Sequence, residues 1–155
     1  GINAAITIFY CVDKLISSKP IEDLAIVEAK CHRENKMNLV VHLKKQIVKK
    51  HGYEWATRQA WKCGIKANLI KRVIGVFKGQ IVSIVEGCRA ELSTSLNNPL
   101  HDDEKQGRYV FVGGVKWEPN NLIAPGFPDF MFMHLRNLSC RHKYMTDDEL
   151  FLNLA

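Results

Sequence analysis

The chain has 155 residues, of which 46% are apolar and 25% are charged, the composition of an ordinary globular domain. These values exclude a wholly disordered chain, and no stretch approaches the ~20 consecutive apolar residues that a membrane-spanning helix needs. The formal net charge of +6 at pH 7 favours acidic partners, of which nucleic acid is one. We expect a single domain over residues 1–155 with no membrane association.

The cysteines give an expectation about the cellular compartment. Five are scattered along the chain without a short Cys-x-x-Cys pair, namely Cys11, Cys31, Cys63, Cys88 and Cys140. This odd number favours reduced, mostly buried thiols in a cytoplasmic protein over a disulfide framework. The opening residues lack a basic region and a cleavage site, so no signal peptide is predicted. Cys31-His32 and Cys140-Arg-His142 belong to no four-ligand pattern, so neither a metal nor another cofactor is expected.

Five elements are predicted in the first half from apolar spacing and from residues that begin or end helices. They are a strand from Ala4 to Val12, a helix from Pro20 to about Arg33, a strand from Asn38 to Leu43, an aromatic helix over residues 53–63 and a short helix from Lys66 to Lys71. Pro20 suits a first helical turn, where Glu22 and Asp23 also favour the helix dipole. Gly64 is well placed to end the aromatic helix.

The second half predicts mainly strands and turns. Its elements are a tight hairpin of residues 73–77 and 80–86 around Lys78-Gly79, a polar loop over 89–107, a strand over 108–117 broken at Gly113-Gly114, a strand or buried helix over 130–135 and a terminal helix. Thr146 and Glu149 form a capping box at the start of that helix. The strands come in pairs with short links rather than in βαβ units. The predicted fold is therefore mixed α/β (α+β), with a mostly antiparallel sheet and flanking helices.

Positive charge is concentrated in the middle of the chain. Between Val40 and Arg89 there are eleven Lys or Arg residues, against the two acidic residues Glu54 and Glu86. Two tryptophans, Trp55 and Trp61, lie within the same stretch. Basic charge beside aromatic side chains is typical of a surface that meets phosphates and stacks bases.

Three segments follow one another in a suggestive order: Trp55-Ala-Thr-Arg-Gln-Ala-Trp61-Lys62, Val73-Ile-Gly-Val-Phe-Lys-Gly-Gln-Ile-Val82 and Gly107-Arg-Tyr-Val-Phe-Val-Gly113. Together they resemble PUA-like domains, related to the EVE and ASCH groups, that occur beside restriction and other nuclease modules. The match covers roughly residues 38–114. It predicts a PUA-like core over residues 38–117, with an N-terminal strand and helix and C-terminal segments as extensions.

The resemblance implies a small, curved, barrel-like sheet whose cleft receives DNA or RNA, often a modified or flipped base. It implies that Trp55, Arg58, Trp61 and Lys62 lie near this cleft, with Arg108 on the facing strand. Trp55 and Arg58 are then expected to contact the base. The residues expected to contact phosphate are Lys62, Lys66, Arg72, Lys78 and Arg108.

Helical spacing gives independent support for part of this site. Trp55, Arg58 and Lys62 fall at positions i, i+3 and i+7, so on a continuous helix they share one face. An indole can stack on any of the bases, and this stacking contributes ~1–3 kcal/mol of binding free energy per base. The alternative interpretation is that one or both tryptophans belong to the core, as large aromatic side chains mostly do.

Two hypotheses from other classes remain open. Asp13, Glu28 and Lys30 have the spacing of a PD-(D/E)xK nuclease core, in which two carboxylates hold a divalent metal and the lysine orients the attacking water. Pro20, Glu22 and Asp23 argue against it, because they favour a helix where that core needs a strand. A further hypothesis is a protein-binding inhibitor or accessory factor of phage or defence type. No phosphate-binding loop or nucleophile motif supports an enzyme.

Overall fold

The computed structural model describes residues 37–121, 126–136 and 142–155. The elements are, in chain order, β1 (Asn38–His42), α1 (Lys45–Arg58), a 3-10 helix (Gly64–Leu69), β2 (Arg72–Phe77), β3 (Gln80–Glu86), β4 (Arg89–Leu92), a second 3-10 helix (Asp103–Lys105), β5 (Tyr109–Val112), β6 (Val115–Trp117), β7 (His142–Met145) and α2 (Asp147–Leu152). The mixed α+β class is confirmed. The strand predicted from Ala4, the helix predicted from Pro20 and the residues of the nuclease hypothesis lie outside the described residues.

The main sheet has five strands in the order β6-β3-β2-β1-β7. Three of its four pairings are antiparallel, but β1 and β2 are parallel, with Leu39 opposite Val73. A parallel pair needs a crossover, and α1 with the following 3-10 helix supplies it. The expectation that no βαβ unit occurs was therefore wrong, although the sheet is mostly antiparallel as predicted.

Apolar side chains cover both faces of this sheet, because residues of β1 and β2 alternate between them. Leu39, Val41 and Val73 belong to a core cluster on the side of α1 and the two-stranded sheet. Val40 and Ile74 belong to a second cluster on the other side, together with side chains of residues 130–135 and of α2. The sheet is thus the middle layer of the described part, and ligands can reach it only at its ends and edges.

α1 is divided at Gly52, whose backbone is not helical (φ 85°, ψ 170°). The part before the kink carries exposed lysines, and the part after it ends in the buried residues Ala56, Thr57 and Arg58. The predicted aromatic helix begins at Tyr53 as expected but ends at Arg58, six residues before Gly64. Helix-face spacing therefore does not apply to Lys62, and the prediction that it shares a face with Trp55 and Arg58 was wrong.

The hairpin at Lys78-Gly79 is confirmed, with β2 paired to β3 across a two-residue turn in which both φ angles are positive. The break at Gly113-Gly114 is also confirmed, and it moves the chain from β5 in the small sheet to β6 in the main sheet. A side chain at Gly114 would lie 2.2 Å from the carbonyl oxygen of Glu86, so only glycine fits this corner.

The predicted polar loop over residues 89–107 contains strand β4, which pairs with β5 in the two-stranded sheet. The described residues form these two sheets and no closed barrel, so the small barrel is not observed there. Residues 130–135 are neither strand nor helix but a series of turns ending in isolated bridges. The start of the terminal helix at Thr146 is confirmed, and so is the first half of the capping box, since Thr146 Oγ1 accepts a hydrogen bond of 3.1 Å from the backbone N–H of Glu149. No helix of the described chain is long and apolar enough to cross a membrane.

Candidate nucleic-acid interface

A group of exposed lysines surrounds the start of α1, and we call it the lysine face. Its members are Lys44, Lys45, Lys49 and Lys50. The first turn of the helix contains no acidic residue, and none of the four forms an ion pair with a described residue. Ile47 and Val48, between them, pack against the core, so the helix turns its lysines outward.

The two acidic residues of this basic region are already engaged elsewhere. Glu54 accepts from Arg58 Nε at 2.9 Å and from Lys116 Nζ at 2.7 Å, and this hydrogen bond to Glu54 raises the pKa of Lys116. Glu86 accepts from the guanidinium of Arg72. Neither of these two carboxylates is therefore placed to neutralise the lysine face.

The side chain of Arg58 forms hydrogen bonds within the protein. Its side chain is 7% exposed, and its Nη1 donates to the carbonyl oxygens of Phe111 at 2.9 Å and Gly113 at 2.8 Å. Its Nε donates to Glu54. The guanidinium predicted to contact a base thus donates to acceptors in α1 and at the corner between β5 and β6.

The two tryptophans lie in different environments. Trp61 is 3% exposed, packs in the core beside α1 and donates from Nε1 to the carbonyl oxygen of Thr57 at 2.9 Å. It therefore has the core role that was the alternative interpretation. Trp55 is half-buried and belongs to neither core cluster.

Two of the predicted phosphate contacts are brought together. Trp61 and Tyr109 exchange both backbone hydrogen bonds, at 2.9 and 3.0 Å, in an antiparallel bridge. This pairing sets the exposed Lys62 opposite Arg108. Arg108 is half-buried, and its Nε is buried without a hydrogen-bond partner among the described residues.

The other three predicted residues are spread over the domain. Lys66 Nζ lies 5.5 Å from the centre of the Tyr144 ring, near the β7 edge, and Lys78 is exposed at the hairpin tip. Arg72 is tied to Glu86, to Asp147 at 2.9 Å and to Asn38 at 3.1 Å. The eight predicted residues therefore do not line one cleft, and only Lys62 and Arg108 are neighbours by strand pairing.

The lysine face was not among the predicted site residues, although the sequence contained a signal for it. Lys45 and Lys49 are four residues apart, and Gly52 marks where the helix kinks. Leu43 donates to the carbonyl oxygen of Val76 at 2.9 Å, which brings Lys44 to the end of the sheet where the hairpin tip carries Lys78. Burial of His42 at this end lowers the pKa of its imidazole, so near neutral pH the local positive charge comes from the lysines.

A pocket of about 360 Å³ opens at the other end of the sheet, where β1 and β2 begin. It is lined by Met37, Asn38, Lys71, Arg72, Glu86, Gly87, Cys88 and Arg89. Cys88 is 3% exposed, and burial raises the pKa of its thiol to about 11. This thiol is therefore protonated at neutral pH and is a poor nucleophile.

Among the described residues, no three His, Cys, Asp or Glu side chains are arranged to hold a metal ion. The charged side chains that these residues expose are mainly basic. Scans of the chain against protein-family models, curated proteins and solved structures find no match.

Proposed function

We propose that this protein binds nucleic acid and that the lysine face holds the phosphate backbone. The observation that carries the proposal is the positive charge at the start of α1, which forms no ion pair with any described acidic residue. Four exposed lysines stand on about two helical turns there, while both acidic residues of the region pair elsewhere. Phosphates are the anions that such a row of ammonium groups suits, since a nucleic-acid strand repeats its charge along its length.

The second part of the proposal concerns the base. Trp55, five residues after Lys50 and half-buried, is the side chain that we assign to stacking on an unstacked base. The resemblance to PUA-like domains, which rests on three sequence segments, is what suggests a modified or flipped base. Arg58 takes no part in this version of the hypothesis, because its donors are used within the protein.

Lys62 and Arg108 form a second place where phosphate can bind, next to the bridge between Trp61 and Tyr109. Arg108 contributes a half-buried guanidinium, and Lys62 contributes an exposed ammonium group. A strand that contacts both places would make more ionic contacts than the lysine face alone. The affinity of the protein for such a strand would fall more steeply with salt. On duplex DNA, each added phosphate contact steepens the slope of log affinity against log salt concentration by about 0.9.

The test is a titration of the full chain with labelled single- and double-stranded DNA and RNA at several salt concentrations. The oligonucleotides carry 5′-hydroxyl ends, and base-modified versions are included. The double variant Lys45→Gln/Lys49→Gln is compared with the control Lys105→Gln/Arg136→Gln, which removes the same charge from the loop before β5 and from the opposite face of the sheet.

We expect the Lys45/Lys49 variant to bind more weakly and to lose about two units of salt slope, one for each phosphate contact. The control should bind like the unaltered protein. Equal weakening by both variants would mean that the charge acts only through its total, which refutes the lysine face as an interface. Lack of binding to every oligonucleotide would refute the function and leave an acidic protein as the partner to seek. Loss of affinity in Trp55→Ala, greatest for one base modification, would support the base contact.

A further inference from the structure

The pocket at the start of β1 and β2 is not explained by binding along the lysine face, which begins at the other end of β1. Its volume of about 360 Å³ lies within the ~300–1,000 Å³ typical of pockets for small molecules. Residues from three separate segments line it: the start of β1, the start of β2, and the turn from β3 into β4. Such a pocket is a property of the folded sheet, because the strand register alone brings Asn38, Arg72 and Glu86 side by side.

The charges at this pocket are not equally available to a ligand. Arg72 is held by Glu86 and Asp147, and Asn38 uses its amide to donate to Asp147 at 2.8 Å and to the carbonyl oxygen of Met145 at 3.1 Å. These bonds fix the floor of the pocket, where two carboxylates and one guanidinium sum to a charge of −1, so an anionic ligand must be held by other cations. The other cations among the described lining residues are Lys71 and Arg89.

Lys71 is half-exposed and forms no ion pair with a described residue. Arg89 is 69% exposed in its side chain and pairs with Glu91 at 3.1 Å, an exposed pair of the kind that contributes little. Both side chains can therefore turn toward an anion in the pocket at small cost. Met37 and Cys88, both buried, provide an apolar inner wall beside them.

We infer that this pocket binds a phosphomonoester between Lys71 and Arg89. A phosphomonoester carries about −1.5 to −2 charges at neutral pH and three acceptor oxygens, so it can use both cations at once. A carboxylate carries a single charge and would satisfy one of them. The phosphate belongs either to a free nucleotide or to the end of a nucleic-acid strand, and only the second source rests on the proposed function.

The experiment compares four probes on the full chain: inorganic phosphate, a nucleoside monophosphate, a 5′-phosphorylated oligonucleotide and the same oligonucleotide with a 5′-hydroxyl. Lys71→Gln and Arg89→Gln each remove one of the two cations. Lys50→Gln is the control, because it removes an equal charge from the lysine face. Arg89→Gln also guards against misfolding, since its site is largely exposed.

For a strand end, the 5′-phosphate should tighten binding by at least about tenfold, the effect of one charge-assisted hydrogen bond. Lys71→Gln and Arg89→Gln should abolish this advantage, while Lys50→Gln should weaken both oligonucleotides alike. For a free nucleotide, the monophosphate should bind without any oligonucleotide binding, and the two pocket variants should lose it. That result would support the pocket and refute the proposed function.

Three results would overturn the inference. One is equal binding of the two oligonucleotides together with no binding of phosphate or nucleotide. The proposed function would still stand after that outcome if Lys45→Gln/Lys49→Gln weakened the binding of both oligonucleotides. Another is a phosphate advantage that survives in both pocket variants. The last is a phosphate advantage that Lys50→Gln removes to the same degree, because the phosphate would then bind at the lysine face.

Discussion

Replacing Arg58 tests whether this residue stabilises the fold or contacts a ligand. In Arg58→Met the side chain keeps much of its length but loses all its donors. The carbonyl oxygen of the fully buried Phe111 then lacks its Arg58 donor, and that of Gly113 loses its 2.8 Å hydrogen bond. Glu54 keeps Lys116 at 2.7 Å, so its carboxylate is not left unpaired.

The magnitude follows from these three contacts. A buried acceptor left without a partner costs ~1–3 kcal/mol, and loss of one partner from a fully buried ion pair costs ~3–5 kcal/mol. The second figure is an upper limit here, because Glu54 is 23% exposed in its side chain and retains a cation. We therefore expect Arg58→Met to lower the free energy of unfolding by about 2–4 kcal/mol.

The assay is urea unfolding followed by tryptophan fluorescence and circular dichroism. With a typical urea dependence of ~1–3 kcal/mol per molar, the midpoint should fall by about 0.7–4 M. Lys62→Met is the control, since Lys62 is exposed, and it should change the unfolding free energy by less than about 0.5 kcal/mol. An unchanged midpoint in Arg58→Met, with loss of nucleic-acid binding, would refute this reasoning and restore Arg58 as a base contact.

Three further predictions concern packing, capping and thiol reactivity. Gly75→Ala sets a Cβ 2.5 Å from Oγ1 of Thr57 and should cost about 1–3 kcal/mol in urea unfolding. The cost should be smaller in a Thr57→Ala background, and an equal cost in both would contradict the close approach. Thr146→Ala removes the cap of α2 and should cost ~1 kcal/mol, whereas Thr146→Ser should retain most of it. Because burial raises the pKa of Cys88 to about 11, iodoacetamide should label it at pH 8 far more slowly in the folded than in the urea-unfolded chain, as mass spectrometry of the labelled peptide can check. Equal rates would contradict burial of this thiol.

The hairpin, the glycine break and the capping box were predictable because a few neighbouring residues determine each. Lys78-Gly79 permits a two-residue turn with positive φ, and Thr146 reaches a backbone N–H only three residues away. Such interactions depend on local sequence and survive in many folds. The strand from Asn38 was predictable for a similar reason, since its apolar run has no competing helical signal.

The site was less predictable because its residues are fixed by partners distant in sequence. Arg58 binds carbonyl oxygens 53 and 55 residues away, and no local pattern indicates that its charge is used internally. The parallel pairing of β1 with β2 likewise depends on a crossover rather than on a short turn. Helix-face spacing failed at Lys62 because the chain leaves the helix after Arg58, before any glycine or proline marks an end.

The kink at Gly52 explains why charge and aromatic residues that are adjacent in the sequence have different roles. Before the kink, Ile47 and Val48 anchor the helix and its lysines face outward. After it, Ala56, Thr57 and Arg58 are buried, and the close contact of Thr57 with Gly75 fixes the helix against the sheet. The lysines are therefore held by the packing of Ile47 and Val48, apart from the packing that follows the kink. Of the two tryptophans predicted to lie near the base, Trp61 is in the core and Trp55 is half-buried, so Trp55→Ala is the decisive variant for the base-reading part of the proposal.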